Sequence, residues 1–233
     1  MYRCLKILFF ALLVRPLVLV GLGLNIINRK YLPTRGPAVI AANHNSHLDT
    51  LVLMSLFPLA KIHCVRPVAA ADYFLANRFR AWFSQNIIGI IPLDRTGGTD
   101  TDLLFEPCRG ALDQNDILIL FPEGSRGDPE QMGRIRKGIC HLLKGREQTT
   151  VTPVVMHGLG RALPRGEALF VPFNCDVVIG EPMNIQGKSS QFVKQLTETY
   201  DELFTHCLTR QVEDSGDREG GARGEERGAW SEE

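Results

Sequence analysis

Residues 38–49 read Ala-Val-Ile-Ala-Ala-Asn-His-Asn-Ser-His-Leu-Asp, and this stretch decides the fold. Five small or branched apolar residues run into a polar loop, and a helical pattern extends from Asp49 to Leu59. A short continuous apolar run bounded by turn residues is the pattern of a strand buried on both faces. A strand that passes through a polar loop into a helix is the repeating unit of a parallel sheet.

The same alternation extends outward. Strand-like runs fall at Lys61–Val68, Ile87–Leu93, Asp116–Phe121, Val151–Met156 and Asp176–Ile179. Helical patterns fall at Tyr73–Gln85, Asp100–Gln114, Arg134–Leu143 and Ser190–Val212. The expected fold class is α/β: a mostly parallel β-sheet flanked by helices, with an N-terminal apolar helical membrane-docking segment.

The chain has 233 residues, 44% apolar and 22% charged, enough for one full-sized domain. Its 26 basic and 26 acidic residues cancel, which argues against a surface built for nucleic acid. Six cysteines without a C-x-x-C pair fit neither a disulfide framework nor a zinc site, and favour a reducing compartment. The neutral sum hides an asymmetry. Up to Leu48 there are six basic residues and no acid; from Gln211 onward there are eight acids against three arginines. Residues 213–233 have the composition of a disordered acidic tail. The expected organisation is a membrane-associated apolar segment at 1–30, a catalytic α/β domain at 31–212 and that tail.

Three readings compete for the front end, beside the plain alternative of an ordinary packed helix of the core. A signal peptide lacks a small-residue cleavage site after the apolar run. A transmembrane helix over Leu5–Ile27 buries Arg15 near the bilayer centre, at roughly 2.5–3.5 kcal/mol on insertion scales. Two apolar segments bent at Arg15-Pro16 and lying in one membrane face let the arginine reach headgroups, and this reading is preferred.

Three strand ends carry unusual chemistry, and α/β sheets bind ligands beyond the carboxyl ends of their strands. The first is Asn43-His44-Asn45-Ser46-His47-Leu48-Asp49. A carboxylate at the start of the helix can reach back to the His44 imidazole, fixing its tautomer and leaving the other nitrogen as a base. No serine or cysteine is needed if the activated hydroxyl belongs to the substrate. Asp49 could instead only cap the helix, or His44, His47 and Asp49 could ligate a metal, although the spacing matches no familiar zinc pattern. The second end is Leu93-Asp94-Arg95 before Thr96-Gly97-Gly98-Thr99. An arginine beside a glycine turn and a helix N-terminus suits an anion; a plain Asp94–Arg95 surface pair is the competing reading. The third is Phe121-Pro122-Glu123-Gly124-Ser125-Arg126, with Lys137-Gly138 further along the chain; alone it could be an ordinary turn.

In order and spacing, Asn43-His44-x4-Asp49, Gly89…Pro92-Leu93-Asp94-Arg95, Phe121-Pro122-Glu123-Gly124-Ser125-Arg126 and Val151-Thr152-Pro153-Val154 resemble the four blocks of the lysophospholipid acyltransferases. The resemblance spans about residues 1–210. It implies that His44 is the base that deprotonates the acceptor hydroxyl and that Asp49 orients it. It implies that Arg95 holds the acceptor phosphate and that Glu123, Gly124, Ser125 and Arg126 line the acceptor site, with Lys137 or Arg66 as the candidate stand-in for a family lysine that contacts phosphate. It implies no metal and no organic cofactor, the donor being acyl-CoA or acyl-carrier protein as a substrate. Two departures stand out. Ser125 replaces the common threonine, and Pro67–Tyr73 lacks a lysine that many members carry.

The expected activity is transfer of a fatty acyl group to a lysophospholipid, with 1-acylglycerol 3-phosphate giving phosphatidic acid. Glycerol 3-phosphate or another lyso-lipid is the alternative acceptor, and a non-catalytic membrane lipid-binding protein is the alternative of another class. The expected setting is a membrane surface with the active site facing the cytoplasm, where the partners are membrane lipid and an acyl thioester and not nucleic acid. A serine hydrolase is disfavoured by the lack of G-x-S-x-G.

Overall fold

Strand β2, Ala38–Ala42, is buried at every position and lies near the middle of a seven-stranded sheet. The computed structural model describes residues 2–46, 48–71, 77–94, 100–124, 132–162 and 174–210. The remaining strands are β1 (Gly23–Ile27), β3 (Val65–Ala70), β4 (Ile91–Leu93), β5 (Ile117–Leu120), β6 (Thr150–His157) and β7 (Asn174–Ile179). Their order is β1-β7-β6-β2-β5-β3-β4, and every neighbouring pair is parallel except β6–β7. The described helices are α1 (Tyr2–Phe9), α2 (Arg15–Gly21), α3 (Leu48–Ser55), α4 (Arg78–Phe83), α5 (Thr101–Asp113), α6 (Gly138–Leu142), α7 (Leu159–Ala162) and α8 (Ser189–Thr205).

Alternate residues of each strand face opposite layers. Ala38, Ile40 and Ala42 join Phe10, Val14, Val18, Val52 and Leu53, so α1, α2 and α3 cover one face. Val39 and Ala41 join Phe105, Ile139, Phe192, Leu196 and Tyr200, so α5, α6 and α8 cover the other. The buried Tyr200 hydroxyl donates to the Ala41 carbonyl at 2.9 Å, tying α8 across β2. Because β2, β5 and β4 run parallel, His44, Glu123 and Asp94 all emerge at one end of the sheet.

Several sequence expectations are corrected. Residues 23–27, expected within the apolar front, form β1 and pair with β7, so the front segment ends at Leu22. An apolar run reads alike as helix or buried strand. The bend expected at Arg15-Pro16 does not form. A π-turn over Phe10–Val14, with the Arg15 N–H donating to the Phe10 carbonyl, precedes the proline, and Pro16 sits in the first turn of α2, where no N–H is needed. Arg15 donates to the Phe57 carbonyl at 2.7 Å, which anchors it to the body and not to headgroups. Lys61–Cys64 is the end of a 3₁₀ turn, and β3 begins only at Val65. Of the Ile87–Leu93 run only 91–93 is strand; Ser84–Ile88 is a π-turn closed by Gly89. Of Arg134–Leu143 only 138–142 is helical. The expected tail at 213–233 and the start of the helix expected at Tyr73–Gln85 lie outside the described residues.

The N-terminal helical stretch is apolar enough and, at 20 residues, long enough to cross a membrane. It packs along the body through Phe10, Val14 and Val18, while Leu5, Leu8, Leu12, Leu13, Leu19 and Val20 point outward. Lys6 is the exception in the packed stripe. It is 4% exposed, and its Nζ donates to the Val65 carbonyl at 3.1 Å. Burial, reinforced by Arg66, lowers its pKa to about 7. Between that value and the ordinary lysine range the unfolded chain holds a proton that the docked helix lacks, so Lys6 makes stability rise with pH. Lys6→Met is expected to raise the melting temperature at pH 7 and to narrow its advantage over the unsubstituted protein by pH 10. A constant difference between the two melting curves across that range contradicts this.

Candidate active site

The loop after β2 is built around the Asp49 carboxylate, which is fully buried in the first turn of α3. Its Oδ2 accepts from His44 Nδ1 at 2.9 Å, from the Asn45 N–H at 2.7 Å and from the Ser46 N–H at 2.8 Å. One oxygen thus closes the loop and orients the imidazole. The α3 N-terminus adds a favourable field for the negative charge. With Asp49 on Nδ1, that nitrogen carries the hydrogen and Nε2 keeps the lone pair. The His44 ring stacks on Phe121, centroids 4.1 Å apart and planes 20° from parallel, and is partly exposed.

Neighbouring strands hold the loop from both sides. Asn43 bonds both backbone groups of Met156 on β6, donating to its carbonyl at 2.8 Å and accepting from its N–H at 2.7 Å. Asn45 Nδ2 donates to the same carbonyl at 2.9 Å. On the β5 side, Glu123 is 4% exposed and accepts from the His44 N–H at 2.9 Å and the Gly133 N–H at 2.7 Å. Burial pushes its carboxyl up, and these two N–H donors pull it back. Gly124 has φ +80°, a conformation side chains resist, and an added Cβ there would lie 3.1 Å from Arg136 Cδ. Arg136 Nε in turn donates to the Glu123 carbonyl at 2.9 Å.

Among the described candidates, His44, Asp49, Glu123 and Gly124 come together, and Lys137 lies in a cleft that Glu123 also lines. Arg95, Ser125 and Arg126 lie outside the described residues, as does His47. Glu123 makes backbone bonds with both of its oxygens, so its observed part is to brace the loop that carries His44. Sequence reasoning gave no role to Phe121, Gly133 or Arg136. The glycine and arginine patterns around 132–138 were the available signal. Among the described residues no cluster of three or more potential metal ligands forms.

Glu123→Ala strands two backbone N–H groups, and a buried unpaired donor costs roughly 1–3 kcal/mol. The variant is expected to unfold at lower urea and to lose activity together with stability. An unchanged urea midpoint would show that the two bonds carry no weight.

A histidine–aspartate pair thus lies beyond the carboxyl end of β2, and no partner of His44 Nε2 is found among the described residues. The acyltransferase family model matches residues 23–157, more than half of the chain, and the chain belongs to that family: it is an O-acyltransferase. It is 28% identical over 204 residues to the 1-acyl-sn-glycerol-3-phosphate acyltransferase alpha of Ovis aries, covering 87% of this chain and 68% of the relative. The corresponding Homo sapiens protein is also 28% identical, with coverage of 87% and 69%. A chloroplastic 1-acyl-sn-glycerol-3-phosphate acyltransferase of Arabidopsis thaliana is 26% identical, with coverage of 64% and 40%. The crystal structure of the 1-acyl-sn-glycerophosphate acyltransferase from Thermotoga maritima superposes with a TM-score of 0.68 at 16% identity, covering 87% of this chain and 78% of that one, and shares the fold.

Proposed function

We propose that this enzyme acylates the free hydroxyl of 1-acylglycerol 3-phosphate, giving phosphatidic acid, with acyl-CoA or acyl-carrier protein as donor. The observation that carries the reading is the His44–Asp49 pair, with His44 Nε2 unpartnered among the described residues. His44 Nε2 takes the hydroxyl proton as the acceptor oxygen attacks the thioester carbonyl. The new ester C–O bond forms, the C–S bond breaks, and the leaving thiolate takes the proton back from His44 and departs as the free thiol. Asp49 stabilises the transient imidazolium. The acceptor's own hydroxyl is the nucleophile, and no acyl-enzyme forms. Arg95, Ser125 and Arg126 are proposed to hold the acceptor phosphate, a role that bidentate guanidinium contacts suit.

The names of the sheep, human and plant relatives support this choice of acceptor. The outward row of Leu5, Leu8, Leu12, Leu13, Leu19 and Val20 supports an enzyme lying on a membrane surface, where its lipid substrates reside. The exposed Arg3, Arg29, Lys30 and Arg35, with no acid before Leu48, suit the anionic cytoplasmic leaflet. Residues 1–22 are proposed as the docking segment and 23–210 as the catalytic domain.

The test offers labelled oleoyl-CoA to protein-containing membranes with lysophosphatidic acid, glycerol 3-phosphate or lysophosphatidylglycerol, and uses His44→Ala as the blank. Labelled phosphatidic acid, lost in the blank, is expected. Transfer only to another acceptor corrects the substrate, and silence with every acceptor and with carrier-protein donors removes the proposal.

A further inference from the structure

The two faces of the sheet differ in what they offer a substrate. Phe121, on which His44 stacks, packs with the cluster that also holds Phe10, Val14 and Val18, so the base opens toward the layer of the apolar N-terminal helices. On the opposite face, next to Glu123, lies a cleft of about 750 Å³. One wall is the segment Arg134-Ile135-Arg136-Lys137 that leads into α6, and the other is α8, through Ser190, Val193 and Thr197. Arg134, Arg136 and Lys137 are exposed. Among the described residues none of these three cations pairs with a carboxylate. Among the described residues the carboxylate lining the cleft is Glu123, which is already committed to the His44 and Gly133 N–H groups.

Three such cations converging in a concave site of small-molecule size, with two hydroxyls opposite, suit a polyphosphate. A lysophospholipid carries one phosphate close to its reacting hydroxyl and enters from the membrane side. The donor places its anionic end far from its reacting carbon, at the other end of a long thioester arm. We propose that this cleft binds the phosphates of the nucleotide end of acyl-CoA, with Arg134, Arg136 and Lys137 as the ligands. A nucleotide fits a cleft between a loop and a helix, whereas a carrier protein presents a convex acidic surface. The inference rests on the proposed thioester donor.

The test compares two donors with the full chain in membranes: oleoyl-CoA, and oleoyl-pantetheine, which keeps the thioester and lacks the nucleotide. Arg134→Ala and Arg134→Ala/Lys137→Ala are the variants, since Arg136 also braces Glu123. For oleoyl-CoA the double variant is expected to raise KM about tenfold or more. For oleoyl-pantetheine its KM is expected to stay within about twofold of the unsubstituted protein, and Arg134→Ala alone, at a residue with no part in the acceptor site, is expected to leave the lysophosphatidic acid KM unchanged. Adenosine 3′,5′-bisphosphate should compete with oleoyl-CoA in the unsubstituted protein and lose about tenfold in potency in the variant. An equal loss with both donors, a rise in the acceptor KM with Arg134→Ala, or an effect seen only with acyl-carrier protein overturns the assignment. Direct titration of the bisphosphate into the purified protein separates the two proposals. Binding without any acyl transfer keeps the cleft and fails the acceptor reading, and transfer without binding does the reverse.

Discussion

His44→Ala is expected to lower acyl transfer by roughly 10²–10⁴-fold, the range that a positioned general base contributes. The reasoning is local. His44 is held at three points: Asp49 at Nδ1, the Phe121 face, and Glu123 at its backbone N–H. Only the first two contacts use the side chain, so the alanine variant keeps the Glu123 brace and the Asn45 and Ser46 bonds to Asp49. Its fold should therefore survive, with a melting temperature close to that of the unsubstituted protein. The loss should appear in the turnover number, with the KM for oleoyl-CoA little changed. A variant that keeps more than about a tenth of the rate would show that another group takes the proton.

Asp49→Asn separates charge from geometry. These three donors converge on one oxygen of Asp49, and the other oxygen is buried with no partner among the described residues. An asparagine can place its amide oxygen where Oδ2 stands, keeping the loop closed and the His44 tautomer intact. It cannot supply the negative charge that stabilises an imidazolium. The rate is thus expected to fall by roughly 10²-fold or more, while circular dichroism stays native. If Asp49 served only to cap α3, the neutral amide would do as well and activity would be retained. Asp49→Ala removes the acceptor for two backbone N–H groups as well, and should lose both rate and stability.

The way these two residues meet was legible in the amino-acid sequence. A buried strand at 38–42, a polar loop and a helix starting near Asp49 leave little choice for where the loop points, and a parallel sheet gathers at its carboxyl end the loops that leave its strands. Local sequence could not separate a cap from an orienting partner, because both place an aspartate in the first helical turn. In the structure the acceptor oxygen of Asp49 meets the loop N–H groups and the imidazole, and Asp49→Asn tests which contact matters for the rate. The part of Glu123 was less legible. Its partners are backbone N–H groups, one of them 79 residues back in the chain, and backbone donors leave no trace in side-chain pattern. The same holds for the clamp between Asn43 and Met156, which spans 113 residues.

At the front end the failure was one of period. Gly23–Ile27 is apolar like the helix before it, and only its pairing with β7, about 150 residues later, makes it a strand. Lys6 and Arg15 looked like the charges of an interfacial segment. Both instead donate to carbonyls of the body, Val65 and Phe57, because burying a helix against the domain leaves a polar side chain only backbone oxygens to reach. The outward face is left to the leucines and Val20.

The central claim is that the acceptor's own hydroxyl, deprotonated by the His44–Asp49 pair, attacks the thioester directly. The most direct measurement incubates purified protein with labelled oleoyl-CoA in the absence of acceptor, records its intact mass, and then adds lysophosphatidic acid. Unmodified protein, with labelled phosphatidic acid only after the acceptor is added, is the expected result. A stoichiometric oleoyl adduct on the protein that is chased into phosphatidic acid would place a protein nucleophile between donor and acceptor, and would contradict direct attack.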